Sequence, residues 1–227
     1  MKSAHRRVAL REIFASGVEE FLRTQRVPLF VHKAAHAIRR CRTAALGGHV
    51  KACPSGHVEK VFYNSCGHRS CPRCAYLKME EWLVRKRDQL LPCRHFHFTF
   101  TLPSELYIIW QCNYEAVASL FFKCVRETLL ELLAKPDLLG ATPGLLLNLH
   151  TWNRALGYCP HIHALISAGG LAPNGVWKNP RRRHLLSTDV LSLIYKAKFR
   201  DGLLRLLKNG KLRLPVDMNE REFHYRL

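Results

Sequence analysis

The sequence predicts an α+β protein: a small helical unit stapled by metal, then a larger unit built on a largely antiparallel sheet flanked by helices. Three observations carry this. Residues 49–74 are rich in Cys and His but poor in periodic apolar residues, so they cannot build a core of their own. From residue 92 onward short alternating stretches appear, beginning with "HFHFTFTLP" at 95–103. Long segments of helical period stand among them, at 104–134 and 187–207. The change of pattern divides the chain into units 1–90 and 91–227.

The elements follow in order. Residues 5–23 read as a basic amphipathic helix with Val8, Ile13, Phe14, Phe21 and Leu22 on one face. A second helix is expected from Pro28 to Thr43, closed by the glycines of "LGGH". After the Cys/His stretch, "AYLKMEEWLVRKRDQLL" at 75–91 reads as a charged helix that buries Leu77, Trp82 and Leu83. A strand at 95–103 stops at Pro103, and the helical region 104–134 carries a break near Gln111 to Asn113. "LLLNLHTW" at 145–152 and "HIHALISA" at 161–168 read as two more strands, the latter ended by Gly169 and Gly170. "PNG" at 173–175 is a turn, followed by a short strand at Val176–Trp177. Ser187 to Leu207 closes the pattern as an amphipathic helix.

Charge narrows the class of partner. Thirty-six Lys and Arg stand against 17 Asp and Glu, a formal net charge of +19. That balance favours a polyanion, most often nucleic acid, with an anionic membrane as the alternative. Residues 1–21 lack the apolar stretch of a secretory signal. The most apolar region, Leu106 to Leu133, is interrupted by five charged residues and reads as no membrane span. The expected location is the cytoplasm, where thiols stay reduced, so nine cysteines point to metal more than to disulfides.

The cysteines cluster as Cys53-x3-His57 and Cys66-x4-Cys71-x2-Cys74, with His49 upstream. Two residues between Cys71 and Cys74 let both sulfurs reach one ion. Cys53, Cys71 and Cys74 are the expected Zn²⁺ ligands, with Cys66, His57 or His49 as the fourth. Four protein ligands close a zinc site to substrate, so its role would be structural. It would hold Arg69, Arg73 and neighbouring lysines against DNA. "NPRRRH" at 179–184 adds Arg181, Arg182 and Arg183 as phosphate contacts.

Within "HIHALISA", alternation puts His161 and His163 on one face, and Ile162, Ala164 and Ile166 on the other. By itself a His-x-His pair fits a hydrogen-bonded structural role as well as a metal site. His150 on the preceding strand and His97 on the first strand supply further candidate ligands. Open positions on such an ion would face substrate oxygens.

The collinear blocks "RCRTAALGGHV" with "YNSCGHRSCPRCA" (40–75), "HFHFTFTLPSEL", "LHTWNRALGYCPHIHALISAGGL" and "LSLIYKAKFRDGLL" resemble the transposases of the insertion sequence 91 family. The resemblance implies a zinc-binding domain followed by a HUH endonuclease-like domain with an antiparallel sheet. It implies rolling-circle transposition, in which His161 and His163 hold Mg²⁺ or Mn²⁺ and a tyrosine attacks single-stranded DNA at the element ends. It further implies a bacterial, nucleoid-associated protein. The sequence departs from the family at three points. "CPSGH" lacks one cysteine of the family's C-x-x-C-G-H, and Cys159 stands where a histidine is common. A segment like "YLxRYTHR", which carries the nucleophile in the family, is not reached by Leu227. The expectation is therefore a chain truncated before its nucleophile, with Tyr195 and Tyr225 as weak substitutes. The competing readings are a non-catalytic DNA-binding regulator that associates with full-length transposase, and a HUH replication initiator or relaxase. The zinc knot argues against the last.

Overall fold

The computed structural model describes residues 10–180 and 185–227, and the chain divides into two compact units, Met1–Leu90 and Leu91–Leu227. Val8, Arg181, Arg182 and Arg183 lie outside the described residues.

The first unit holds helices α1 (Leu10–Thr24) and α2 (Leu29–Arg40), the antiparallel hairpin β1 (Gly48–Ala52) and β2 (Val58–Tyr63), and helix α3 (Pro72–Gln89). Its buried centre is small: Ile38, Cys41 and Cys71, with Phe14, Cys66 and Cys74 packed against them. Both strands of the hairpin are exposed along their whole length. Helix α3 has no buried side chain, and Leu77 and Trp82 are 61% and 37% exposed, against the expected buried face. The cause is its composition: charges at positions 73, 78, 80, 81 and 85–88 run round the helix and leave no wide apolar stripe.

The second unit holds strands β3 (His95–Thr101), β4 (Thr142–Trp152), β5 (Tyr158–Leu171) and β6 (Trp177–Lys178). Its helices are α4 (Tyr107–Cys112), α5 (Tyr114–Ala134), α6 (Thr188–Lys208) and α7 (Glu220–Arg226). All pairings are antiparallel, in the order β3-β5-β4 with β6 on β5. Asn113 makes the break between α4 and α5: its amide donates to the carbonyls of Ile109 and Arg213 at 3.0 and 2.8 Å. Helices α5 and α6 supply Phe121, Val125, Leu129, Leu133, Tyr195, Phe199 and Leu203 to the core, over the sheet residues Phe100, Ile162, Ala164 and Ile166.

Strand β5 does not stop at Gly169 and Gly170 but continues through them to Leu171. The glycines let flanking chain come close instead of breaking the strand. A Cβ at Gly170 would lie 2.5 Å from the Thr142 carbonyl oxygen, and one at Gly169 would lie 2.5 Å from Cζ2 of Trp177.

Candidate metal centres

Four thiols converge in the first unit: Cys41, Cys66, Cys71 and Cys74. Local structure explains three of them. Helix α2 ends at Arg40, three residues short of the expected Thr43, and Cys41 leaves it in extended conformation as the C-cap. Cys71 is the N-cap of α3, Pro72 occupies the first helical position, and Cys74 follows one turn later. The sulfur of Cys74 stands 3.5 Å from Cys41 and 3.6 Å from Cys66, and Cys71 stands 3.8 Å from Cys41. Sulfurs about 2.3 Å from a tetrahedral zinc would be about 3.8 Å apart, so the group fits Zn²⁺ with little movement. Burial pushes the Cys66 thiol up to about 12. Burial also raises Cys74, but the Cys41 and Cys66 thiols aimed at its sulfur outweigh that and leave it at about 7. One sulfur is therefore ready to ionise near neutrality, and binding zinc would displace the remaining thiol protons.

This group differs from the ligand set expected above. Cys41 belongs to it, and Cys53 does not. Cys53 sits in the turn between β1 and β2, its sulfur 3.5 Å from Nδ1 of His57. His49 stacks on Phe62 at 5.3 Å. Cys41 escaped notice because a helix running to Thr43 would have kept its side chain on the helix surface. Arg69 and Arg73 are exposed beside the thiol group in sequence.

Three imidazoles converge in the second unit: His150, His161 and His163. Strand pairing sets them together, since His150 lies directly opposite His161, and His163 lies opposite Thr99 on one side and Asn148 on the other. The Nε2 atoms of His161 and His163 are 3.1 Å apart. Two nitrogens about 2.1 Å from a common ion stand roughly 3 Å apart at a right angle, so the pair can share one. His150 packs edge-on to both, with ring centroids 5.4 Å from His161 and 4.4 Å from His163.

The outer nitrogens are held. Nδ1 of His161 donates to the Cys159 carbonyl at 2.6 Å, which leaves Nε2 as a bare lone pair. Nδ1 of His163 lies 2.8 Å from Nε2 of His97. His97 thus stands outside the ligand group and contacts the far side of His163. With Nδ1 of His163 as donor to His97, the His163 Nε2 lone pair is free for an ion. Burial, and then the neighbouring imidazoles His150, His161 and His97, hold His163 below its usual pKa, so it is neutral at neutral pH. The amide of Asn148 reaches Nε2 of His150 at 3.0 Å.

The two tyrosines considered as nucleophiles occupy opposite environments. Tyr195 is 6% exposed and packs against Phe100, Phe121 and Phe199. Its hydroxyl has no hydrogen-bond partner, and burial pushes its pKa far up. A phenol so placed is a core residue, not an attacking group. Tyr225 is 91% exposed on α7.

Comparison with known proteins bears on both centres. Residues 13–102 match the family model of the transposase zinc-binding domain of the insertion sequence 91 type. Residues 144–227 match a second family model, described as a putative transposase. The chain is 39% identical over 189 residues to the putative transposase y4qJ of Sinorhizobium fredii (strain NBRC 101917 / NGR234). That match covers 82% of this chain and 48% of the relative. The chain belongs to the insertion sequence 91 family of transposases. The transposase for insertion sequence element IS801 of Pseudomonas savastanoi pv. phaseolicola is 33% identical over 141 residues, covering 61% of this family member and 33% of that protein. The chain thus spans half or less of the length of these family relatives. Among solved structures, the conjugative relaxase TrwC complexed with a 27-mer DNA comprising the recognition hairpin and the cleavage site is similar at a TM-score of 0.40 and 18% identity. It aligns over 56% of this chain and 51% of that one. Among the described residues no helix is long and apolar enough to cross a membrane. For this family member, the zinc-binding domain and the four-thiol cluster together support a structural zinc.

Two outcomes are expected. Cys41→Ser removes the tightly held zinc from the purified chain, as measured by metal analysis after chelator treatment, and Cys53→Ser leaves it in place. The reverse pattern would refute the four-thiol assignment. His97→Ala weakens Mn²⁺ binding about 10- to 100-fold by calorimetry, the usual effect of losing a group that orients a ligand. His163→Ala abolishes binding at that centre, and equal loss in both variants would make His97 a ligand.

Proposed function

We propose that this chain supplies the metal-binding and DNA-gripping parts of a rolling-circle transposase that nicks single-stranded DNA at the ends of its element. The observation that carries the reading is the convergence of His150, His161 and His163 on one patch of the sheet, with the outer nitrogens of His161 and His163 held. A divalent ion bound there, Mg²⁺ or Mn²⁺, supplies charge that draws electrons from a scissile phosphate.

The chain's own groups do the rest. The Cys159 carbonyl and His97 fix which nitrogens of His161 and His163 carry protons, so the site needs little reorganisation when it fills. The net charge of +19 draws the phosphate backbone and makes binding salt-dependent. Arg69 and Arg73, exposed next to the zinc ligands, serve as phosphate contacts, and Arg181, Arg182 and Arg183 are assigned the same role from sequence alone. In the reaction a tyrosine oxygen forms a bond to phosphorus as the bond to the 3′ oxygen breaks, which leaves a 5′-phosphotyrosine link and a free 3′-OH. Tyr195 is not that tyrosine, because its hydroxyl is buried. The work of such a protein is on bacterial DNA in the cytoplasm, at the nucleoid. A chain that grips DNA without the attacking tyrosine would act instead as a regulator, in association with the complete transposase.

Anisotropy of a labelled single-stranded oligonucleotide, over a salt series with and without Mn²⁺, tests this. We expect affinity to fall steeply with salt and to rise with Mn²⁺. His161→Ala combined with His163→Ala should remove the Mn²⁺ increment and leave the salt slope unchanged. An increment that survives the double substitution, or binding insensitive to salt, would refute the proposal.

A further inference from the structure

Three turns of this chain share one hydrogen-bond pattern, and one of them breaks a rule that the other two obey. In the turn of Cys53–His57, the Cys53 N–H donates to the His57 carbonyl and the Gly56 N–H to the Cys53 carbonyl, both at 2.9 Å. In the turn of Ala172–Val176, the Ala172 N–H donates to the Val176 carbonyl and the Gly175 N–H to the Ala172 carbonyl, again both at 2.9 Å. The turn joining β4 and β5 repeats this: the Asn153 N–H donates to the Gly157 carbonyl at 2.9 Å and the Leu156 N–H to the Asn153 carbonyl at 3.0 Å. The fourth residue of each turn is left-handed, with φ of +84° at Gly56, +78° at Gly175 and +62° at Leu156. Glycine takes that conformation without steric cost, and a leucine does not.

The leucine contributes little to the fold in return, since Leu156 is 79% exposed. The turn around it is firmly built. The Asn153 side-chain oxygen accepts from the N–H groups of Ala155 and Gly157 at 3.0 and 2.9 Å, and a Cβ at Gly157 would stand 3.0 Å from that amide. A rigid turn therefore holds an apolar side chain out in solvent, in a conformation that glycine would take more easily. Strain kept against a cheaper alternative marks a functional constraint.

The neighbours indicate what the constraint serves. Trp152, which opens the turn, is 57% exposed, and its ring is fixed by an edge contact to Tyr158 at 5.6 Å. Tyr158 is fixed in turn against Tyr107 at 5.4 Å. Arg154 lies exposed between Trp152 and Leu156. Trp152 follows His150 by two residues on the same strand, a distance of about 7 Å, or roughly two stacked nucleotides. An anchored indole, a guanidinium and a projecting leucine beside a metal centre match the faces, phosphates and stacking gaps of nucleobases.

We infer that the β4–β5 turn is a nucleobase-binding tip, in which Trp152 stacks on a base next to the phosphate at the histidine centre and Leu156 wedges against the neighbouring base step. This rests on the proposed function. The occupant is single-stranded DNA: the chain is strongly cationic, and an unpaired strand leaves base faces free to stack.

The test uses the full chain, an unstructured single-stranded oligonucleotide and three variants: Trp152→Phe, Trp152→Ala and Leu156→Gly. Single-strand binding should quench tryptophan fluorescence, and Trp152→Phe should lose most of the quench while binding is retained. Trp152→Ala should weaken binding about 5- to 100-fold without changing its salt slope, because base stacking and not phosphate contact is lost. Leu156→Gly should weaken binding while it raises the thermal midpoint, a pairing that a merely structural role would not give. Unaltered affinity in Trp152→Ala and Leu156→Gly, with the wild type binding normally, overturns the inference and spares the proposed function. Unaltered affinity together with loss of self-association would assign the tip to a second copy of the chain. A wild type that binds no single strand overturns both readings.

Discussion

The histidine centre depends on the register of one strand. Strand β5 is hydrogen-bonded on both edges, with His163 between Thr99 and Asn148, and His161 between Thr101 and His150. Side chains alternate along it, so a slip of one residue would turn both imidazoles into the core and Ile162, Ala164 and Ile166 out of it. Those three are fully buried under the helices. Each isoleucine taken out of water is worth about 1.5–3 kcal/mol, so burial on one face holds the ligands on the other. Packing against α5 and α6 in this way fixes the geometry of a site on the opposite face of β5.

The two candidate metal centres meet different chemical conditions. The four thiols gather where a unit with only a few buried apolar residues requires a staple, and their four sulfurs would complete a tetrahedron. The three imidazoles gather on a sheet that is already well packed, and they leave positions for other ligands. Under the proposed function, metal would serve folding in the first case and an oxygen-bearing substrate in the second. The hydrogen bonds behind His161 and His163 belong with the second role, since a site that must accept substrate gains from ligands oriented in advance.

Much of this was legible in the sequence. The alternation in "HFHFTFTLP" and "HIHALISA" marked the two strands that pair, because period-two patterning is local. The face shared by His161 and His163 followed from the same rule. The break at Asn113 was visible as a polar interruption in an apolar helix. What escaped depends on contacts distant in the chain. The inclusion of Cys41 in the thiol group required knowing where α2 ends. The run of β5 through Gly169 and Gly170 required knowing that Thr142 and Trp177 approach it. His97 looked like a ligand from its place on β3, but only the ring positions show it reaching the far nitrogen of His163. The strain at Leu156 has no local signature, since a leucine near a turn is unremarkable until its φ is known.

The account rests on histidine nitrogens holding a divalent ion on the β5 face. Pulsed electron paramagnetic resonance of the Mn²⁺-loaded chain reads those nitrogens directly. The account predicts nitrogen couplings from imidazole that vanish in the His161→Ala, His163→Ala double variant. A Mn²⁺ signal with oxygen ligands alone, or nitrogen couplings unchanged by the double substitution, would contradict it.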